Sequence, residues 1–341
     1  MTRAEKRRAY REAQKAAKKP NGILQPQTIT LSNPVSDHFP NFIYANSLVC
    51  EKVAVQGSGR GKSLVICGAG PSLADDAASY CYDTDELWAV NSALPWLFDN
   101  GFKPTHAITV DQTAHMVEEW YSAPDVEYLL ASTCHPHLVE YLMEKQRSIT
   151  FFHNFVGIKQ APVQLENGEI VHYEDWLYST LFETTVRVGA GLNSVTRAID
   201  LACFMGFKSI KVLGADCALR TTANCPTTKH GSPEHLRWLK EHTIMHADGG
   251  HALASNATPL TLGGDIDGRH WETKPDLIIS AVWLARMQNE IPRLELIGDT
   301  LPNALKDKTD DFLDQLPTLT DSNGEILRYD AKLNTGYDDM N

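Results

Sequence analysis

Residues 63–73 read Ser63-Leu64-Val65-Ile66-Cys67-Gly68-Ala69-Gly70-Pro71-Ser72-Leu73. The first five are short, apolar and rich in β-branched side chains, the pattern of a strand covered on both faces. Two glycines then allow a tight turn, and Pro71 suits the first turn of a helix, where its missing N–H leaves no bond unmade. The free amides and dipole at such a helix start favour an anion, so Gly68, Gly70, Pro71 and Ser72 are candidates for contact with a phosphate. The dinucleotide fingerprint G-x-G-x-x-G is incomplete, because Leu73 stands at its third glycine.

Outward from this turn the chain alternates. Strands are expected at Ser63–Cys67, Leu87–Asn91, His106–Asp111, Tyr128–Ser132, Ile149–His153, Ser209–Gly214 and Leu294–Ile297. Helices are expected at Ser72–Tyr80, Ala93–Asn100, Ala114–Tyr121, His135–Lys145, Ser194–Met205 and Pro275–Asn289, with Gly206 as a C-cap. This rhythm predicts an α/β fold: a Rossmann-like, doubly wound, mostly parallel sheet with helices on both faces. Residues 51–305 would form the domain, 1–50 a basic tail and extended lead-in, and 306–341 an acidic, loose tail. A hairpin is expected around Glu166-Asn167-Gly168-Glu169, and 217–272 reads as an irregular insertion or lid.

Composition narrows the function classes. The 341 residues are 43% hydrophobic, which is ample for a core, and no run of 18 apolar residues suggests a membrane span. The basic N-terminal stretch leads into no apolar segment, so it is not read as a secretory signal. The seven cysteines form no CxxC pair, which argues against a disulfide framework and for a reduced, cytoplasmic protein. Net charge is −12, yet residues 1–20 hold eight Lys/Arg against two Glu. Nucleic-acid contact is therefore expected only through that tail, which reads otherwise as a solvated helix.

In an open parallel sheet, ligands bind beyond the carboxyl ends of the strands. Asp111 and Asp216 follow two of them. Carboxylates there hold Mg²⁺ against substrate phosphates, bond sugar hydroxyls, or cap the next helix. Asn91, at another strand end, suits a base or ribose. A second glycine turn, Gly189-Ala190-Gly191-Leu192-Asn193-Ser194, opens a helix and offers a second anion site through Gly189, Gly191, Asn193 and Ser194. Two such sites on one crevice suggest a ligand with more than one negative group, a nucleoside di- or triphosphate or a nucleotide-sugar. Gly57-Ser58-Gly59-Arg60-Gly61-Lys62-Ser63 mimics a P-loop but precedes a strand, and Gln56 replaces its first glycine. His230, His235, His242, His246 and His251 show no zinc spacing, and His230 or His251 is a candidate general base.

The order of GAGPSL (68–73), LWAVNSALPWLFDNGFKPTHAITVD (87–111), VGAGLNSVTRAIDLACFMGFKSIKVLGADCAL (188–219) and GRHWETKPDLIISAVWLAR (268–286) resembles the 6-hydroxymethylpterin diphosphokinase MptE-like family. That superfamily includes the motility accessory factors implicated in flagellin glycosylation, and a more distant likeness joins bacterial sialyltransferases that use CMP-sialic acid. The resemblance implies a Rossmann-like domain that transfers a group from a nucleotide-bearing donor. Under it, Gly68, Gly70, Pro71 and Ser72 form the phosphate loop. Asp111 and Asp216 match the acidic strand ends, with Cys217 where leucine is usual, and His230 matches the downstream histidine.

Three readings follow. The first is transfer of a diphosphate from ATP to a pterin-like hydroxyl, with Mg²⁺ held by Asp111 and Asp216. The second is a glycosyltransferase with a nucleotide-sugar donor, a glycan, protein or modified-base acceptor, and a histidine base. The third is a nucleotide-binding module without turnover.

Overall fold

The computed structural model describes residues 28–30, 39–48, 54–112, 114, 116–120, 122–154, 163–164, 168, 170–171, 188–189, 193–218, 262–266, 269–273, 275–309, 318–320 and 326–327. In chain order these hold β1 (Thr28–Thr30), α1 (Phe39–Leu48), β2 (Ser63–Cys67), α2 (Leu73–Tyr80), β3 (Glu86–Val90), α3 (Ala93–Asp99), β4 (His106–Thr109), α4 (Met116–Glu119), β5 (Glu127–Ala131), α5 (Pro136–Glu144) and β6 (Ser148–Phe152). There follow β7 (Val163–Gln164), β8 (Ile170–Val171), α6 (Ser194–Met205), β9 (Ser209–Leu213), β10 (Leu262–Ile266), β11 (Arg269–Thr273), α7 (Pro275–Glu290), β12 (Leu294–Leu296), α8 (Leu301–Leu305), β13 (Thr318–Thr320) and β14 (Ile326–Leu327).

The main sheet has seven strands in the order β12-β9-β2-β3-β4-β5-β6, and every pairing is parallel. This is the doubly wound α/β architecture that the alternation predicts. From β2 the chain winds outward through β3 to β6, then crosses to β9 on the other side of β2 and on to β12. Neighbouring β2 and β9 thus lead away in opposite directions, and the crevice between their carboxyl ends is the topological switch point.

The strands are apolar because both faces are covered. All five residues of β3 are buried, as are the last four of β2 and of β5. Each such Leu, Ile or Val stabilises the fold by about 1.5–3 kcal/mol through the area it removes from water. Glu86 is buried at the start of β3 and is satisfied there: Lys62 Nζ (2.8 Å) and the Trp88 indole N–H (2.9 Å) donate to its carboxylate. α6 is bounded as its sequence implies. Asn193 Oδ1 accepts from the Thr196 amide at 2.8 Å, and Gly206 closes the helix in the left-handed region at φ +80°.

Four departures from the expected elements stand out. The supposed extended lead-in contains α1, whose Asn41 side chain donates to the Thr133 carbonyl at 3.1 Å and so ties the helix to the end of β5. β1 pairs in parallel with β13, and β14 pairs antiparallel with β13, so parts of the two presumed tails share a small sheet. Within the stretch read as irregular, β10 and β11 form an antiparallel hairpin, with Ile266 opposite Arg269. Ala114–Tyr121, read as a helix, is helical only over Met116–Glu119. The hairpin expected near residue 167 is present, with Gln164 opposite Ile170. Among the described residues no helix is long and apolar enough to cross a membrane.

Candidate functional site

At the switch point the loop after β2 lies against the loop after β9. Gly68 N–H donates to the Leu213 carbonyl (2.8 Å) and Gly70 N–H to the Gly214 carbonyl (2.8 Å). A methyl group at Gly68 would stand 2.6 Å from the Gly214 oxygen, and one at Gly70 would meet both that oxygen, at 2.6 Å, and the Asp216 carboxylate. Gly214 has φ +64° and backs onto the Gly68 carbonyl. These glycines are required by loop-on-loop packing.

Asp216 completes the junction. Its Oδ2 accepts from the Ser72 amide (3.2 Å) and the Ser72 hydroxyl (2.9 Å), with the residue only 8% exposed. The Leu73 amide donates to Gly70 O (3.1 Å). A carboxylate therefore occupies the α2 N-terminus, where the sequence suggested a phosphate, and it is stabilised by the same amides and dipole. The second glycine turn is used in a similar way. Gly189 N–H donates to Asp200 Oδ2 (2.6 Å), Arg197 Nη1 donates to the Val188 carbonyl (3.2 Å), and Asn193 caps α6. Gly191 lies outside the described residues. Within the two expected anion sites, the Ser72 and Gly189 amides thus donate to the chain's own carboxylates, the Thr196 amide to the Asn193 cap, and the Gly68 and Gly70 amides to backbone carbonyls.

The other expectation for these strand ends is a metal shared by Asp111 and Asp216. Asp111 follows β4 and Asp216 follows β9, with β2 and β3 between them. Three strand spacings amount to about 14 Å. Among the described residues no group of three His, Cys, Asp or Glu side chains converges in a metal-holding arrangement. Asp111 is half-buried, its amide bonded to Thr109 Oγ1 (3.0 Å). Its charge, together with burial as the larger cause, pushes the Cys134 thiol above its ordinary range.

Next to Asp111, at the end of the neighbouring strand, stands Asn91. This residue stands at the end of β3 with φ +48°, a left-handed conformation that asparagine tolerates better than most residues. Its Nδ2 donates to Ser194 Oγ (3.1 Å), joining β3 to the start of α6, and its carbonyl accepts from the Trp120 indole (3.1 Å). Its side-chain Oδ1 is buried with no hydrogen-bond partner, as are Thr133 Oγ1 and Asn154 Oδ1, which lie beyond β5 and β6. A buried carbonyl without a donor is costly, so this edge of the sheet has acceptor capacity in reserve. Sequence reading found Asn91 but not Thr133 or Asn154; their one signal was position just past a strand end.

Beside them His153, at the end of β6, hydrogen bonds to Ser132 Oγ (3.0 Å), and burial lowers its pKa to about 3, so it is neutral at physiological pH. His230 and His251, the candidate bases, lie outside the described residues. The P-loop mimic is a turn leading into β2, with Gly59 packed on Phe207.

Comparison with known proteins agrees with this architecture. A MAf glycosyltransferase from Magnetospirillum magneticum AMB-1 shares the fold at a TM-score of 0.50 and 13% identity, over 88% of this chain. The chain spans 40% of that protein's length. No curated protein matches. Residues 43–222, more than half of the chain, match the model of the family described as 6-hydroxymethylpterin diphosphokinase MptE-like, and the chain belongs to that family.

Proposed function

We propose that this protein is a nucleotide-dependent glycosyltransferase, taking a nucleotide-sugar donor of low negative charge in the crevice beside Asn91. The observation that supports the reading is the partnerless Asn91 Oδ1, at the end of β3 next to the switch point, which can accept from the exocyclic amine of a base or from a ribose hydroxyl. The carboxylates of Asp216 and Asp200 at the two glycine turns disfavour a donor with three or four phosphate charges by like-charge repulsion. The fold shared with a MAf glycosyltransferase supports the same reading.

In such a transfer an acceptor hydroxyl attacks the anomeric carbon, the bond from that carbon to the phosphate oxygen breaks with its electron pair leaving on the nucleotide phosphate, and the acceptor's proton passes to water or to that phosphate. Asn91, held by Ser194, orients the nucleoside, and the rigid loop pair 68–72 and 213–216 fixes the floor of the crevice. Thr133 and Asn154 supply neutral acceptors that suit hydroxyl groups.

The family's description favours a second reading, transfer of a diphosphate from ATP with Mg²⁺ to a pterin-like hydroxyl. The test is to incubate the protein with CMP- and UDP-sugars, and separately with ATP, Mg²⁺ and 6-hydroxymethylpterin. Release of free nucleotide from a sugar donor in EDTA supports glycosyl transfer. AMP formation dependent on both Mg²⁺ and the pterin would replace it with the second reading.

A further inference from the structure

We propose that Cys67 and Cys81 form a reversible disulfide when the protein meets a peroxide, making this pair a site of covalent modification at the base of the β2–α2 unit. Their Sγ atoms lie 3.7 Å apart, in hydrogen-bond contact, while the residues are 14 apart in sequence. Cys67 is the last residue of β2 and directly precedes Gly68; Cys81 is the C-cap of α2, its amide bonded to Ala77 O at 2.9 Å. Cys67 lies within β2 and Cys81 caps α2 with its amide bonded to the helix, so the step from 3.7 Å to a bond of about 2.05 Å falls mainly to side-chain rotation.

The two thiols are unequal in a way that orders the chemistry. Cys67 is fully buried, and burial pushes its thiol well above the usual range. Cys81 is 7% exposed, and the hydrogen bond from the Cys67 thiol lowers its pKa. The Cys81 thiolate is therefore the nucleophile. It attacks one oxygen of hydrogen peroxide, the O–O bond breaks, and the departing oxygen leaves as water after protonation, giving a sulfenic acid on Cys81. The Cys67 sulfur then attacks that sulfur, the S–O bond breaks, and a second water leaves as the disulfide forms. Two thiols and one peroxide become one disulfide and two waters, and a dithiol restores the reduced pair. The cross-link joins the ends of a segment that contains Gly68, Gly70, Ser72 and all of α2, so oxidation pins the loop that Asp216 holds.

The test uses the full chain, reduced, desalted and exposed to hydrogen peroxide, then unfolded, alkylated and digested. No Lys or Arg lies between Ser63 and Phe102, so both cysteines fall in one tryptic peptide. The expected product is that peptide about 2 Da lighter and resistant to alkylation at both cysteines. Second cleavage at Asp75 and Asp76 leaves its halves joined until dithiothreitol is added. In a Cys67→Ser variant, a sulfenic-acid trap labels Cys81. The proposal is overturned if wild-type Cys81 advances to sulfinic acid while Cys67 remains alkylatable. It is overturned equally if both stay alkylatable at peroxide levels that oxidise free cysteine. The wild-type peptide map decides the matter even if the serine variant does not fold.

Discussion

Asp216 accepts two hydrogen bonds from Ser72, one from its amide and one from its hydroxyl, across 144 residues of sequence. One carboxylate thereby joins the loops after β2 and β9 and stands at the start of α2. Asp216→Ala should leave two buried donors unpaired and cost about 2–4 kcal/mol of stability. Asp216→Asn, which keeps an acceptor, should cost less. Denaturant unfolding of both variants checks the ranking, and an alanine cost below about 0.5 kcal/mol would remove the junction's structural role.

Gly70→Ala tests the same junction from the other side. Its new methyl group would collide with the Asp216 carboxylate and the Gly214 carbonyl, neither of which is the free end of a flexible chain. The expected loss is about 2 kcal/mol or more, read as a fall in Tm of roughly 5 °C or greater. A variant as stable as the wild type would show that the loops separate easily.

Stability should fall with pH through His153. Its folded pKa of about 3 lies below the ordinary 6.5, so below pH 6.5 the unfolded chain binds a proton that the folded chain refuses. The contribution is fully present above pH 6.5 and is lost progressively as pH falls towards 3. Between pH 7 and pH 5 the loss is about 2 kcal/mol. His153→Gln should flatten this part of the profile in urea titrations at several pH values, whereas an unchanged slope would assign it to other groups.

The local elements were legible where a local signal existed. α6 begins and ends at the expected residues because Asn193 caps it and Gly206 adopts φ +80°. The strands fall within a residue or two of expectation at either end, because each is an apolar run between turn residues. α1 was missed because Pro40, Asn41 and Asn46 suppress the propensity of a helix that is held instead by packing. The β10–β11 hairpin did carry a signal, since Asp267-Gly268 is a favoured two-residue turn sequence, but Gly263-Gly264 weakens the strand pattern. Pairings such as β1 with β13, or Asp216 with Ser72, depend on residues far apart in the chain. Sequence reading placed Gly68, Gly70, Ser72 and Asp216 beyond the strand ends; what it could not see was that Asp216 accepts from the Ser72 amide and Asp200 from the Gly189 amide.

The central claim is that a low-charge nucleotide donor binds at Asn91 without a metal. The most direct measurement is a thermal shift of wild type and Asn91→Ala against CMP, UMP, CMP- and UDP-sugars, and ATP, each with EDTA or Mg²⁺. At 100 times its Kd a ligand adds about 2.7 kcal/mol, a readily visible shift. The account predicts stabilisation of the wild type by a nucleoside monophosphate or nucleotide-sugar in EDTA, weakened at least tenfold in Asn91→Ala. Stabilisation by ATP alone, dependent on Mg²⁺ and indifferent to Asn91→Ala, would contradict it.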